Sequence, residues 1–349
     1  MANVTIVGLG LIGTSIGQGL RKARHGGVKI IGYDRETKNT RAAKSAGGID
    51  SVENILTKAV EKADIVFVAT PVLAMREVFE TIAPHLPRNC IVTDTGSTKQ
   101  QVLKWAEELF PDHVNFIGGH PMAGSEKSGP EAGKADLFKD ATYCLLPGRN
   151  ASTQALETLV AFVKDLGARP HYIEPFEHDT LVAGVSHLPL ALSAALVSTT
   201  SQSPSWPELA MLAAGGYRDV SRLASGDPGM SVSICLTNAS EIAGWVDRFI
   251  AQLETFKTQL KAQDREALVR LFSDAFSERE RWLAGVAQRP GARDVVELPN
   301  AMETAYRTMF GDAIYSRTKK LMEMSENPFP KKGGGGAAKP ADPKSGKPS

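Results

Sequence analysis

Six short runs in the first half of the chain are rich in β-branched residues and apolar on both alternating faces: VTIVG (4–8), KIIGYD (29–34), ADIVFVATP (63–71), NCIVTDTG (89–96), VNFIGGHP (114–121) and ATYCLLP (141–147). A strand with one face in water alternates apolar and polar positions. Runs without that alternation are what parallel strands need when helices cover both faces. Amphipathic stretches of helical period separate them, so the pattern predicts a doubly wound α/β sheet, completed by a helix over about 152–166 and a strand over about 168–174. From about 176 the strand runs stop, and long Ala/Leu-rich stretches of helical period continue to about 322. The expected organisation is an α/β domain over 1–175 followed by an all-α domain over 176–322. No internal repeat interrupts either half.

Composition narrows the function classes. The 349 residues suffice for two domains with cores of their own. Lys+Arg 40 against Asp+Glu 39 leaves no bulk charge to attract nucleic acid or an anionic membrane, so a small-molecule ligand is the default partner. Cys90, Cys144 and Cys235 are odd in number, widely spaced and set among apolar residues, which reads as reduced core thiols and a cytoplasmic location. The start has no charged segment leading into an apolar one, and no uninterrupted apolar run reaches the ~20 residues of a membrane span. The stretch KKGGGGAAKPADPKSGKPS (331–349) has almost no apolar side chains and is expected to be disordered.

GLGLIG (8–13) follows the first predicted strand directly and leads into a helix, the context in which a Gly-rich turn binds a dinucleotide in a Rossmann-type sheet. Gly8 permits the tight turn, Gly10 lets the backbone approach a pyrophosphate, and Gly13 lets helix and strand pack closely. The first-turn N–H groups, at Leu11 and Ile12, then point at the phosphates. Asp34 ends the second predicted strand, 21 positions beyond Gly13, where a carboxylate can accept from the ribose hydroxyls. That carboxylate would repel a 2′-phosphate, so NAD is expected; Arg35 beside it keeps NADP open, since a guanidinium can pair with that phosphate. Thr70 and Pro71 end the third predicted strand, either lining the cofactor crevice or simply closing the strand.

Two further strand ends carry polar residues. TDTGSTK places Ser97 in the turn after the fourth predicted strand, and GGHPMAGSEKSG (118–129) places His120 just after the fifth. A hydroxyl and a neutral imidazole on neighbouring loops can orient a substrate hydroxyl and remove its proton while a hydride leaves the same carbon. Equally, Ser97 can cap the following helix, and His120 can be a histidine satisfied by backbone in a tight turn.

In order and spacing, GLGLIG, TDTGSTK, GGHPMAGSEKSG and VSHLPLAL (185–192) resemble the prephenate and arogenate dehydrogenases of tyrosine biosynthesis over roughly residues 1–285. That resemblance implies an NAD(P)-dependent oxidoreductase with a Rossmann-type domain and a helical domain through which it forms homodimers. It assigns His120 to the ring hydroxyl of the substrate, Ser97 to a bond with both, and His187 and Arg222 to substrate binding. Arg222, the second of the pair Arg218 and Arg222, opens the pattern R-x-A/S-x-x-D-P and would grip a carboxylate with two hydrogen bonds. Ser125 and Glu126 lie in the same GGHPMAGSEKSG loop, and Glu126 and Asp219 resemble positions that form an ionic network around the arginine. Many relatives carry an aromatic residue where Ser231 follows Met230.

The implied reaction is oxidative decarboxylation of prephenate to 4-hydroxyphenylpyruvate, or of arogenate to tyrosine. Asp179 could favour the ammonium of arogenate or cap a helix. A different dehydrogenase of the same plan would be expected to carry its acid/base on the helical half. A catalytically silent NAD-sensing or scaffold protein is the alternative of another class, against which Ser97, His120 and Arg222 argue. Residues 290–330 are too short for an additional regulatory domain of the ACT type.

Overall fold

The computed structural model describes residues 2–24, 27–125 and 127–285; the stretch 331–349 lies outside them. Eight described strands form one sheet: β1 (Ala2–Val7), β2 (Val28–Tyr33), β3 (Ser51–Val52), β4 (Ile65–Val68), β5 (Ile91–Asp94), β6 (Asn115–Pro121), β7 (Thr142–Pro147) and β8 (Arg169–Tyr172). Their order is β3-β2-β1-β4-β5-β6-β7-β8, and every pairing is parallel except β6 with β7. Beside β1 the chain order reverses, which opens a crevice at the carboxyl ends of β1 and β4.

The doubly wound sheet is as expected, with two differences. β3 is only two residues long, too short to leave a pattern. β7 runs antiparallel, because the segment from 122 to 141 carries one helical turn (Pro130–Ala132) and no crossover helix, and a parallel return needs a crossover of a dozen or more residues, usually a helix. β8 then follows β7 in parallel through a true helix, α6 (Thr153–Asp165).

The other helices of this half are α1 (Leu11–Arg24), α2 (Thr37–Ser45), α3 (Leu56–Val60), α4 (Val72–Ile82) and α5 (Gln100–Leu109). Between α4, α5 and the sheet lies an aromatic cluster in which Phe79 meets Phe110 at 4.8 Å and Phe116 at 5.5 Å between ring centres. Such tilted contacts add to the area these rings bury and fix the helices beneath the site.

After β8 the described chain is helical: α7 (Pro175–Val182), a π-turn (Ala183–His187), α8 (Leu188–Ser201), α9 (Trp206–Leu212), α10 (Gly215–Ser221), a 3-10 turn (Arg222–Ser225), α11 (Pro228–Thr237), α12 (Ala239–Ala262) and α13 (Arg265–Leu283). α7, the π-turn and α8 run on without a break, so Pro175–Ser201 is by length and composition apolar enough to cross a membrane, with mean hydropathy 1.7 over an 18-residue window within it. The sequence pattern predicted no stretch of that length, because Glu177, His178, Asp179, His187 and Pro189 interrupt it. In the fold His178, Asp179 and His187 are buried against the first half. Much of the remaining apolar surface here is open: Met211 is 81% and Leu212 80% exposed. Cys90 and Cys144 are core thiols as expected, whereas Cys235 is exposed on α11.

Candidate active site

At the crevice the three glycines of GLGLIG do different work. Gly8 has φ +93°, and a Cβ there would sit 2.6 Å from the Ala69 carbonyl oxygen; a Cβ on Gly13 would sit 2.0 Å from that of Gly8. No side chain fits either place. Around Gly10 nothing lies within 4 Å of a would-be Cβ, which is open space of the kind a pyrophosphate needs. α1 begins inside the motif at Leu11, so the N–H groups of Leu11, Ile12 and Gly13 face that space without intrahelical partners.

Asp34 secures the loop. One carboxylate oxygen accepts from Leu9 N–H at 2.8 Å, the other from Glu36 N–H at 2.8 Å and Asn39 Nδ2 at 3.2 Å. Arg35 is exposed beside it. Thr70 Oγ1 is buried at the end of β4 without a hydrogen-bond partner, and Pro71 leads into α4. An orphaned hydroxyl, an open Gly10 and free helix N–H groups together fit a dinucleotide.

The neighbouring strands β5 and β6 are stapled at their carboxyl ends. Asp94 accepts from Gly96 N–H at 2.7 Å and Gly119 N–H at 3.1 Å, and the buried Lys99 ammonium pairs with Asp94 while donating to the Gly119 carbonyl at 2.8 Å. His120 follows directly. It belongs to β6, opposite Cys144 of β7, where sequence reading expected a turn; antiparallel pairing with β7 prolongs the strand through Pro121.

The His120 ring is held from α7. Its Nδ1 lies 2.8 Å from His178 Nε2, with the rings edge to face at 5.0 Å between centres. His178 Nδ1 lies 2.8 Å from Asp179 Oδ1. That carboxylate also accepts from Lys99 N–H at 2.8 Å, Gln100 N–H at 2.9 Å and Gln100 Nε2 at 3.3 Å, so it supplies the N-terminal cap of α5 from 80 residues away. Ser97 is therefore not that cap; it is half-buried on the loop before α5, and its backbone lies against His187.

His187 ends the π-turn, in which Leu188 N–H donates five residues back to the Ala183 carbonyl. Pro189 follows and can donate nothing to the carbonyl four residues before it, a local cause for the widened turn. Asn238 Nδ2 donates to the Asp179 carbonyl at 2.8 Å and lies 3.2 Å from His187 Nδ1. His187 Nε2 is buried without a partner of normal geometry.

Among the remaining sequence candidates, Arg222 is exposed on the 3-10 turn that Ala224 N–H ties to Ser193 Oγ of α8 at 2.9 Å. Ser125 is exposed and accepts from Lys127 N–H at 3.2 Å; Glu126 lies outside the described residues. His178, Asp179 in its actual role, Lys99 and Asn238 were not singled out from sequence. The adjacent histidine and aspartate of EHD were the available signal.

Burial, with His178, the Lys99 ammonium and His187 nearby, holds the His120 imidazole well below its ordinary range, so it is neutral at pH 7. Burial likewise pushes His187 down to about 4, with His178 adding to the effect and Asp179 and the Ser97 backbone opposing it. An unfolded His187 binds a proton near pH 6.5, earlier than the folded one. Stability due to this group is thus complete above pH 6.5 and is lost as the pH falls towards 4. At pH 5 the loss is roughly 2 kcal/mol, because each tenfold difference in proton affinity between the folded and unfolded states is worth about 1.4 kcal/mol. Urea midpoints at pH 7.5 and 5 should show the loss, and His187→Gln should shrink it; equal losses in both proteins would refute the assignment.

Comparison with known proteins agrees with this geometry. The family "Prephenate dehydrogenase, nucleotide-binding domain" matches residues 16–172, and "Prephenate dehydrogenase, dimerization domain" matches 174–274. The prephenate dehydrogenase of Bacillus subtilis is 38% identical over 281 residues, 79% of this chain and 75% of its own. A crystal structure of prephenate dehydrogenase from A. aeolicus in complex with hydroxyphenyl propionate and NAD+ superposes with a TM-score of 0.75 at 30% identity, covering 80% of this chain and 98% of that one. Synechocystis arogenate dehydrogenase gives a TM-score of 0.67 at 30% identity, covering 80% and 99%. With the dinucleotide crevice, the buried His120 and these matches in hand, the chain belongs to the prephenate dehydrogenase family of NAD-dependent oxidoreductases.

Proposed function

We propose that this chain oxidises and decarboxylates prephenate with NAD+, giving 4-hydroxyphenylpyruvate, and that His120 takes the proton of the ring hydroxyl. The observation that carries the reading is a neutral, buried imidazole at the carboxyl edge of a dinucleotide-binding sheet, held by a hydrogen bond to Nδ1. NAD+, when bound along GLGLIG, supplies the hydride acceptor. Gly8, Gly10, Leu11, Ile12, Gly13 and Thr70 would hold it, with Asp34 disfavouring a 2′-phosphate and the exposed Arg35 beside it suited to pair with one.

His120 Nε2 accepts the hydroxyl proton as the hydride departs from the same carbon. The bond to CO2 then breaks, and its electrons make the ring aromatic, so the protein has chiefly to orient the ring and remove one proton. His187, accepting at Nδ1 from Asn238, carries its hydrogen on the unpartnered Nε2 and can donate it to a substrate oxygen. Ser97 stands beside it. Arg222 suits a carboxylate, with Ser125 in the loop that follows β6.

Arogenate is the second reading. Against it, Asp179 is fully buried and already meets four donors, so it is not available to an ammonium group. The deciding measurement is a side-by-side assay of prephenate and arogenate with NAD+ and NADP+. Prephenate with NAD+ should give the highest kcat/KM, by at least tenfold over NADP+; an NADP+ preference would overturn the role of Asp34, and no turnover of either substrate would overturn the function. The exposed apolar side chains of the helical half, together with the dimerization-domain match, support a homodimer, which a light-scattering mass of one chain would refute.

A further inference from the structure

Behind His120, the proposed base, stand two fully buried polar groups that neither the sequence motifs nor the reaction assigns: His178 and Asp179. We propose that His178 and Asp179 are positioning residues that set the tautomer of His120, leaving its Nε2 without a proton where the substrate hydroxyl arrives. The inference rests on the dehydrogenase reading above for its chemistry, and on hydrogen-bond accounting for its direction.

Asp179 sets the first link. Lys99 N–H and the main-chain and side-chain N–H groups of Gln100 all donate to its carboxylate, which as an ionised group only accepts. His178 Nδ1 faces one of the same oxygens at 2.8 Å and must therefore carry a hydrogen to donate. In a neutral imidazole that leaves His178 Nε2 as an acceptor, so His120 Nδ1, 2.8 Å away, donates to it. His120 then has its lone pair on Nε2, which general-base chemistry requires. Each link fixes the next, as the buried aspartate of a serine protease fixes its histidine.

Burial and surrounding charge keep His120 neutral. Asp179 faces His178, His187 lies on the π-turn behind it, and the Lys99 ammonium, paired with Asp94, stands on the β5 side with Cys144 on β7. A proton on His120 Nε2 before the substrate arrives would remove the lone pair, and burial first, then His178 and the Lys99 ammonium, oppose it. When His120 takes the substrate proton, its positive charge is separated from the Asp179 carboxylate by one polarisable ring.

The test uses the full chain with NAD+ bound and histidine labelled with 15N, the His120 signals being assigned by their loss in His120→Asn. In the wild type, Nδ1 of His120 should give the shift of a protonated nitrogen and Nε2 that of a bare one. Asp179→Ala removes the acceptor that holds a hydrogen on His178 Nδ1, so neither ring keeps a fixed tautomer. The two 15N shifts of His120 should then move toward each other and kcat fall at least about tenfold, against the about 10⁴ of a fully inverted tautomer in a serine protease. NAD+ affinity and the KM for prephenate should stay within about threefold.

Should Asp179→Ala fail to fold, a pair at His178 decides. His178→Gln can offer its carboxamide oxygen where Nε2 was and should retain at least tenfold more kcat than His178→Phe. A wild-type His120 protonated on Nε2, an unchanged 15N pattern in folded Asp179→Ala, or equal kcat in the two His178 variants would overturn the proposal. Because the 15N signals need no turnover, a protein inactive on prephenate would sink the functional reading and leave the tautomer result standing.

Discussion

His120→Asn is expected to cut kcat by about 10²- to 10⁴-fold, the usual contribution of a positioned general base, while NAD+ affinity changes by less than about twofold. The two effects separate because His120 lies in β6, whereas GLGLIG and Asp34 lie at the ends of β1 and β2 on the other side of β4 and β5. Asparagine can still reach toward His178 with its amide, but it has no atom where Nε2 was. Wild-type kcat should also rise with pH through one ionisation and be flat above it, since only the neutral ring accepts a proton. Burial and the neighbouring His178, Lys99 and His187 put that ionisation below 6.5. The variant should lose this limb. Equal losses in kcat and in NAD+ affinity would instead mean that the histidine merely holds the fold.

Lys99→Met is expected to destabilise the protein by about 3–5 kcal/mol, read from urea unfolding. The ammonium and the Asp94 carboxylate are both fully buried, and removing the cation leaves an anion in the core with only the Gly96 and Gly119 N–H groups to face it. Burial alone pulls the Lys99 ammonium down, and Asp94 is what opposes that pull, with a lesser contribution from Asp179. The pair is not a large net stabiliser in itself; what costs most is breaking it on one side. Adding Asp94→Asn to Lys99→Met should therefore recover part of the loss, because the amide oxygen can still accept from one of the two glycine N–H groups and no charge is stranded. A single-variant loss under about 1 kcal/mol would contradict the assignment of Lys99 as the counter-ion.

Much of the sheet could be read from local pattern. β1, β2, β4, β5 and β6 announce themselves as apolar runs, and GLGLIG needs only its position after β1 to mark the crevice. The direction of β7 was not legible, since it depends on what the chain between 122 and 141 fails to form. The site divides in the same way. His120, His187 and Ser97 stand in short motifs and could be picked out one by one. Their connection could not, because the bonds from His120 to His178 and from Asp179 to Lys99 span 58 and 80 residues. Periodicity says nothing about such distances, and Asp179 reads in sequence as a partner for an ammonium group or as a local cap.

The cap that Asp179 places on α5 has one more consequence. It joins the helical half to the sheet half beside the reacting groups, and Leu73 N–H on Ser233 Oγ at 3.0 Å and Thr98 Oγ1 with Thr237 Oγ1 at 2.8 Å join them again nearby. Swinging the halves apart there would strip the first turn of α5 of its acceptor and break the support of the base in the same movement. The two halves are thus latched at the catalytic end of the site, and opening there would unseat the base together with the first turn of α5.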